Sequence, residues 1–85
     1  MATALSMVNL YVIKSLTKKY CYVGITNNLE RRLLQHNSGR NFATKGFVPF
    51  KLIYAEEFDK MKDARKREIF LKSGAGRKYL DSLQS

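Results

Sequence analysis

Two tyrosines, Tyr11 and Tyr22, an arginine and a histidine one turn apart, Arg32 and His36, and the distant Glu68 are the residues whose types could do chemistry together. Hydrolysis of a phosphodiester needs an activated water, positive charge on the developing phosphorane-like oxygens, and help for the leaving oxygen. Arg32 can supply the charge, because its planar fork matches phosphate oxygens. Glu68 can hold Mg²⁺ or Mn²⁺, hard cations that keep several waters and take further ligands from substrate phosphate. Tyr11 or Tyr22 can accept the proton from water if a nearby metal and arginine favour the phenolate over its ordinary pKa of about 10. His36 is an alternative base, or a hydrogen-bond partner that assists a tyrosine. Each residue also has a plainer role, since strand tyrosines commonly pack in cores and a lone histidine on an apolar face is usually structural.

Such residues must be positioned by elements the chain can form. Leu10 to Lys14 and Tyr20 to Ile25 are rich in β-branched and aromatic side chains, and the polar stretch Ser15 to Lys19 between them reads as a hairpin connection. The connection has no Asn-Gly or Asp-Gly signature, so the register, and with it whether the two tyrosines share a face, is not fixed by sequence. Asn27 reads as a helix N-cap with Glu30 completing a capping box, and the helix runs to about Asn37 before Ser38-Gly39. At about 100° per residue Leu29, Leu33 and His36 fall on one stripe, with Arg32 beside it and Arg31 and Gln35 pointing away.

A basic and aromatic loop from Arg40 to Pro49 leads to a third strand from about Phe50 to Glu56. Its Phe42 and Phe47 suit base stacking as well as they suit plugging the core. Asp59 is placed to cap a second helix over Lys60 to Lys72, ended by Ser73-Gly74, and Gly76 to Leu83 can form a short final helix. On the second helix Met61, Ala64, Glu68 and Leu71 share a stripe, which puts an acid on the apolar face. A carboxylate there needs a partner. An ion pair with Arg32 or Arg67 would serve, and so would a divalent metal.

Sixteen Lys and Arg against seven Asp and Glu give a formal charge of +9 on 85 residues, of which 45% are apolar. One small domain is expected, with no separate recognition module. The charge suits a polyanion, nucleic acid first and an anionic membrane surface second, although a small basic domain can also be merely soluble. The membrane is disfavoured because no apolar run approaches the ~20 residues of a span and no segment is an obvious basic surface helix. Cys21 has no internal partner, which fits a reducing, cytoplasmic setting and a core role. The first seven residues lack the layout of a signal peptide and read as a loose start.

The segments Leu10-Tyr11-Val12, Tyr22 to Gly39 and Ala64 to Lys72 closely resemble the GIY-YIG endonuclease superfamily, nearest to its small stand-alone bacterial members. The resemblance spans about Val8 to Arg77, within a single domain of residues 1–85. It implies an α/β core with a three-stranded antiparallel sheet flanked by helices in the order β-β-α-β-α-α, and one divalent cation used to cleave nucleic-acid phosphodiesters. By similarity Tyr11 and Tyr22 are the tyrosines of the two motifs, Gly24 closes the second, Arg32 and His36 are the helix arginine and the residue one turn later, and Glu68 is the metal ligand. Asn9-Leu10 replaces Gly-Ile of the first motif, and Val23 replaces Ile of the second. Ile25 stands where the nucleotide-excision-repair branch carries lysine, which argues against that branch's function. Some relatives use an asparagine after the glutamate, and this chain has none beyond Asn41.

The leading expectation is therefore a metal-dependent endonuclease of limited sequence specificity, DNA before RNA, with Arg40, Lys45 and Lys72 contacting the nucleic acid. Repair or recombination would be its setting, and a homodimer is compatible with cutting both strands. Its rivals are a catalytically weak or silent nucleic-acid-binding module and, behind it, a protein-interaction domain.

Overall fold

The computed structural model describes residues 7–84, so most of the expected loose start lies outside the described residues. Strands β1 (Val8–Ser15), β2 (Cys21–Thr26) and β3 (Phe50–Phe58) form one antiparallel sheet in the order β2-β1-β3. Helix α1 (Leu29–Asn37) follows the hairpin, and α2 (Met61–Leu71) and α3 (Gly74–Gln84) follow the third strand. This is the expected β-β-α-β-α-α order.

Central position explains the composition of β1. Residues 10–13 are all buried, alternating between the two faces of a strand covered on both sides. Leu10 and Val12 join Val23, Leu71 and Leu80 beneath α2 and α3. Tyr11 and Ile13 join Phe50 and pack with Tyr20, Tyr22, Leu29, Leu33 and Phe47 on the α1 side. A β-bulge between Val12 and Ile13 shifts the pairing with β3.

The hairpin closes without a tight two-residue turn. Ser15 Oγ accepts from the backbone N–H of Thr17 and of Lys18 at 3.2 and 3.0 Å, and donates to Phe47 O at 2.6 Å. One serine thus shapes the turn and ties it to the loop before β3, which is the information the turn residues alone lacked.

Helix boundaries differ from expectation at their caps. Asn28, not Asn27, caps α1, its Oδ1 accepting from Arg31 N–H at 3.0 Å, while Thr26 Oγ1 accepts from Asn28 N–H. Tandem asparagines offer either cap, and the chain's exit from β2 selects the second. Gly39, at φ 78°, follows α1 in the left-handed region as a terminating glycine should. Asp59 does not cap α2: Lys60 occupies that position and makes no side-chain cap. Gly74 opens α3 rather than merely ending α2, and Ser73 Oγ accepts from Gly76 N–H at 3.2 Å. The third strand and the last helix are both longer than expected, because partners on β1 and the α2 face hold residues that carry no strong local signal.

Candidate active site

Register settles the relation of the two tyrosines. Tyr11 lies opposite Gly24 and Ile13 opposite Tyr22, so Tyr11, Tyr22 and Gly24 share one face of the sheet. The rings of Tyr11 and Tyr22 stand 6.2 Å apart. Glycine at position 24 is required by this arrangement. A Cβ there would lie 2.6 Å from the Tyr11 hydroxyl, so the missing side chain is the space that the phenol occupies.

Helix α1 brings Arg32 and His36 onto the same face, as its phasing requires. His36 is fully buried and sits against both tyrosine rings, 5.8 Å from Tyr11 and 4.9 Å from Tyr22. Arg32 Nε donates to the Tyr11 hydroxyl at 3.4 Å. An arginine has no acceptor, so the direction of that bond is fixed, and the phenol O–H is left to donate to His36 Nε2 at 2.9 Å. In that arrangement the imidazole proton sits on Nδ1 and is donated to Thr44 Oγ1 at 2.9 Å. A directed chain runs Arg32, Tyr11, His36, Thr44.

The electrostatics agree with that chain. Burial, and after it the nearby Arg32 charge, lower the pKa of His36, so the ring is neutral near pH 7. Burial raises the Tyr11 phenol above its ordinary value; the Arg32 hydrogen bond opposes this and loses, while Tyr22 and Glu68 add to the rise. At Tyr11, removal from water outweighs the single guanidinium of Arg32. Tyr11 is only 1% exposed, and Tyr22 is half-buried. Of the three candidate bases only Tyr22 presents an edge to solvent.

Glu68 is placed differently from expectation. The buried positions of α2 are Ala64 and Leu71; Met61 is 48% exposed, and Glu68 sits at the border of the stripe with its side chain 17% exposed. Its partner is neither Arg32 nor Arg67. Lys72, one turn on, binds Glu68 Oε2 at 3.1 Å, while Arg67 lies near Glu56 and donates to the Tyr54 hydroxyl at 3.3 Å. Lys72, expected to contact nucleic acid, is therefore held by the carboxylate.

The loop after α1 separates its two phenylalanines. Phe47 stacks on Tyr20 at 4.0 Å and belongs to the core, whereas Phe42 is 84% exposed with Lys45 Nζ 4.9 Å from its ring centre. Arg40 is exposed on the same loop. A hollow of about 410 Å³ beside Arg32 is lined by Arg31, Gln35, Asn27 and Ile25 among others, so the exposed Arg31 still borders the site.

Thr44 and Asn37 were not foreseen from sequence. Thr44 is fully buried and bonds His36 Nδ1, and Asn37 clasps Phe50, accepting from its N–H at 2.6 Å and donating to its carbonyl at 3.2 Å. In one dimension Asn37 looks like an ordinary helix end and Thr44 like an ordinary loop residue. Only their contacts across the α1 to β3 connection single them out.

A profile of the GIY-YIG catalytic domain matches residues 7–79. The chain belongs to the GIY-YIG family. Its relatives include a UPF0213 protein of Clostridium perfringens, 44% identical over 52 residues covering 60% of this chain and 56% of that one. Another, from Syntrophus aciditrophicus, is 39% identical over 66 residues covering 75% and 76%. For several relatives the matched stretch spans only 54–64% of their own length. A solution NMR structure of a UPF0213 protein from Bacillus halodurans superposes with a TM-score of 0.55 at 28% identity, covering 91% of this chain and 84% of that one. The GIY-YIG fold expected from the motifs is thereby shown, and the chain carries a nuclease-family domain. No helix among the described residues is long and apolar enough to cross a membrane.

Proposed function

We propose that this GIY-YIG domain is a divalent-metal-dependent endonuclease that hydrolyses phosphodiester bonds in nucleic acid, DNA before RNA. The observation that carries the reading is the directed chain from Arg32 through Tyr11 and His36 to Thr44, beside a half-exposed Tyr22. A purely structural core has no need to aim a guanidinium at a buried phenol that stands beside a second, solvent-reaching tyrosine.

The donor set fits a hard cation in a sparse way. No group of three or more His, Cys, Asp or Glu side chains gathers among the described residues, so Glu68 would be the one protein ligand, with water and substrate phosphate completing the shell. The Glu68 carboxylate holds the Lys72 ammonium at 3.1 Å, so a metal bound there would take the place of that ion pair. A metal bound there would supply positive charge to the leaving oxygen.

The remaining chemistry falls to the side chains. Arg32 spends its Nε on Tyr11 and one Nη1 bond on Gln35 at 3.0 Å, which leaves other N–H groups of the fork for phosphate oxygens, with Tyr22 within its reach. Tyr22 is the group that takes the proton from the attacking water, its own phenol proton having first passed to solvent. Tyr11, His36 and Thr44 hold Arg32 and Tyr22 in place, and neutral His36 avoids a second positive charge beside the guanidinium. Exposed Arg40 and Lys45, with Phe42 between them, contact the substrate backbone.

The test is a panel of labelled duplex, single-stranded, branched and RNA substrates with Mg²⁺, Mn²⁺ or EDTA, comparing wild type with Glu68→Ala and Arg32→Ala. Metal-dependent cutting lost in both variants is the expected result. Cutting that survives Glu68→Ala would assign the activity elsewhere, and salt-sensitive binding with no cutting of any substrate would make this a binding module.

A further inference from the structure

A second, larger hollow of about 650 Å³ lies along the outer edge of β2, against α2 and α3. Its wall carries Lys14, Lys19, Lys72 and Arg77, and the sole acid among its lining residues is Asp81. Lys14, Lys19 and Arg77 take part in no ion pair among the described residues. Gathering like charges around a hollow without counter-charges costs electrostatic energy, so the arrangement calls for an anion.

The rest of the lining narrows the class of anion. Leu71 and Leu80 make an apolar floor, and Tyr22 and Lys72 belong both to this hollow and to the candidate active site. A ligand here would therefore run on from the reacting phosphate and combine negative charge with apolar or aromatic surface. A hollow of this size matches the range of pockets that hold small ligands, which admits one or two nucleotides and not a double helix. A positive groove with tyrosines at its side is the usual seat of an unpaired strand.

We propose that the cleft between the β2 edge, α2 and α3 binds a single-stranded stretch of nucleic acid next to the scissile phosphate, with Lys14, Lys19 and Arg77 contacting its backbone. This rests on the nuclease reading for its direction, and it makes unpaired or locally opened nucleic acid the substrate class. Lys72 links the two sites.

Cys21 lines the same hollow and is the chain's one cysteine, which gives a local reporter. Binding of a fluorescent single-stranded oligonucleotide and of the matched duplex is measured by anisotropy over a salt series, for wild type, Lys14→Gln/Arg77→Gln and the control Lys62→Gln/Arg65→Gln. Melting curves establish that all three are folded. In parallel, the rate at which a thiol reagent labels Cys21 is followed with and without saturating oligonucleotide.

The cleft variant is expected to bind the single strand at least about tenfold more weakly, with a salt slope shallower by about 1.4 for two lost phosphate contacts, while the control changes little. Oligonucleotide is expected to slow Cys21 labelling in wild type. The proposal is overturned if the cleft variant binds single strand as wild type does, if Cys21 labels equally fast with and without oligonucleotide, or if duplex depends on Lys14 and Arg77 as strongly as single strand does. Cleavage by wild type, scored on the same oligonucleotides, separates the two readings. Cutting without cleft dependence sinks the cleft alone, and cleft-dependent binding without cutting sinks the nuclease alone.

Discussion

The two faces of β1 are built on different principles although one strand supplies both. Leu10 and Val12 point to a side closed by Leu71 and Leu80, where the fully buried side chains meet through apolar, non-directional contacts. Tyr11, between them in the chain, points to a side where burial is accompanied by hydrogen bonds to Arg32 and His36 and onward to Thr44. The first face can tolerate small shifts, since area rather than angle sets its energy. The second cannot, because a buried donor or acceptor that loses its partner costs about 1–3 kcal/mol. The α2–α3 face is therefore where stability should reside, and the α1 face where geometry is fixed for the proposed chemistry.

Substitutions can break that division. Leu10→Ala, on the apolar face, should cost about 2–5 kcal/mol in chemical denaturation, a large part of what so small a domain has. Activity per folded molecule should persist; a variant that stays stable yet loses all cleavage would contradict the division. Arg32→Ala should do the reverse, lowering the cleavage rate about 10²–10³-fold with a modest change in melting, and Arg32→Lys should recover only part because the fork is lost.

Smaller effects sharpen the same contrast. Tyr11→Phe removes one hydroxyl from between Arg32 and His36, and should cost about 1–3 kcal/mol in stability together with a loss of cleavage. Thr44→Val, which leaves His36 Nδ1–H unpaired, should act in the same direction and more weakly, read by melting and by the imidazole nitrogen shifts that report the tautomer. An unchanged tautomer with unchanged stability would remove Thr44 from the chain.

The pH dependence is the mildest of these predictions. His36 has a folded pKa below its ordinary value of about 6.5, so its contribution to stability is present above that value and is lost as pH falls through the folded one. Melting temperature should decline on acidification from about 6.5 downward, and His36→Gln should flatten that part of the profile.

Much of this was legible in one dimension because it depends on local period. Helical phasing alone placed Arg32 and His36 beside Leu29 and Leu33, and the structure keeps them there. The same phasing misjudged Glu68, since a stripe identifies neighbours on a helix and not how deeply a sheet covers them. Its expected partners, Arg32 and Arg67, gave way to Lys72, because the nearest cation is one turn along the same helix. Asn27 and Asn28 were equivalent by cap chemistry, and Asp59 suited a cap it does not make. In both cases the path of the preceding strand decided.

Sequence by itself determined the element order, the family and the helical neighbours of the candidate site, all of which follow from motifs and periodicity within a few turns of chain. Only tertiary structure decided that Tyr11 lies over Gly24, that Tyr22 rather than Tyr11 has access to solvent, and that Thr44 bonds the far nitrogen of His36. Those facts depend on strand register and on how two connections fold back. A one-residue slip would reverse every side chain on β2, and no local pattern in Ser15 to Lys19 forbids it. Packing forbids it, because only one register sets a residue without a side chain opposite the Tyr11 phenol.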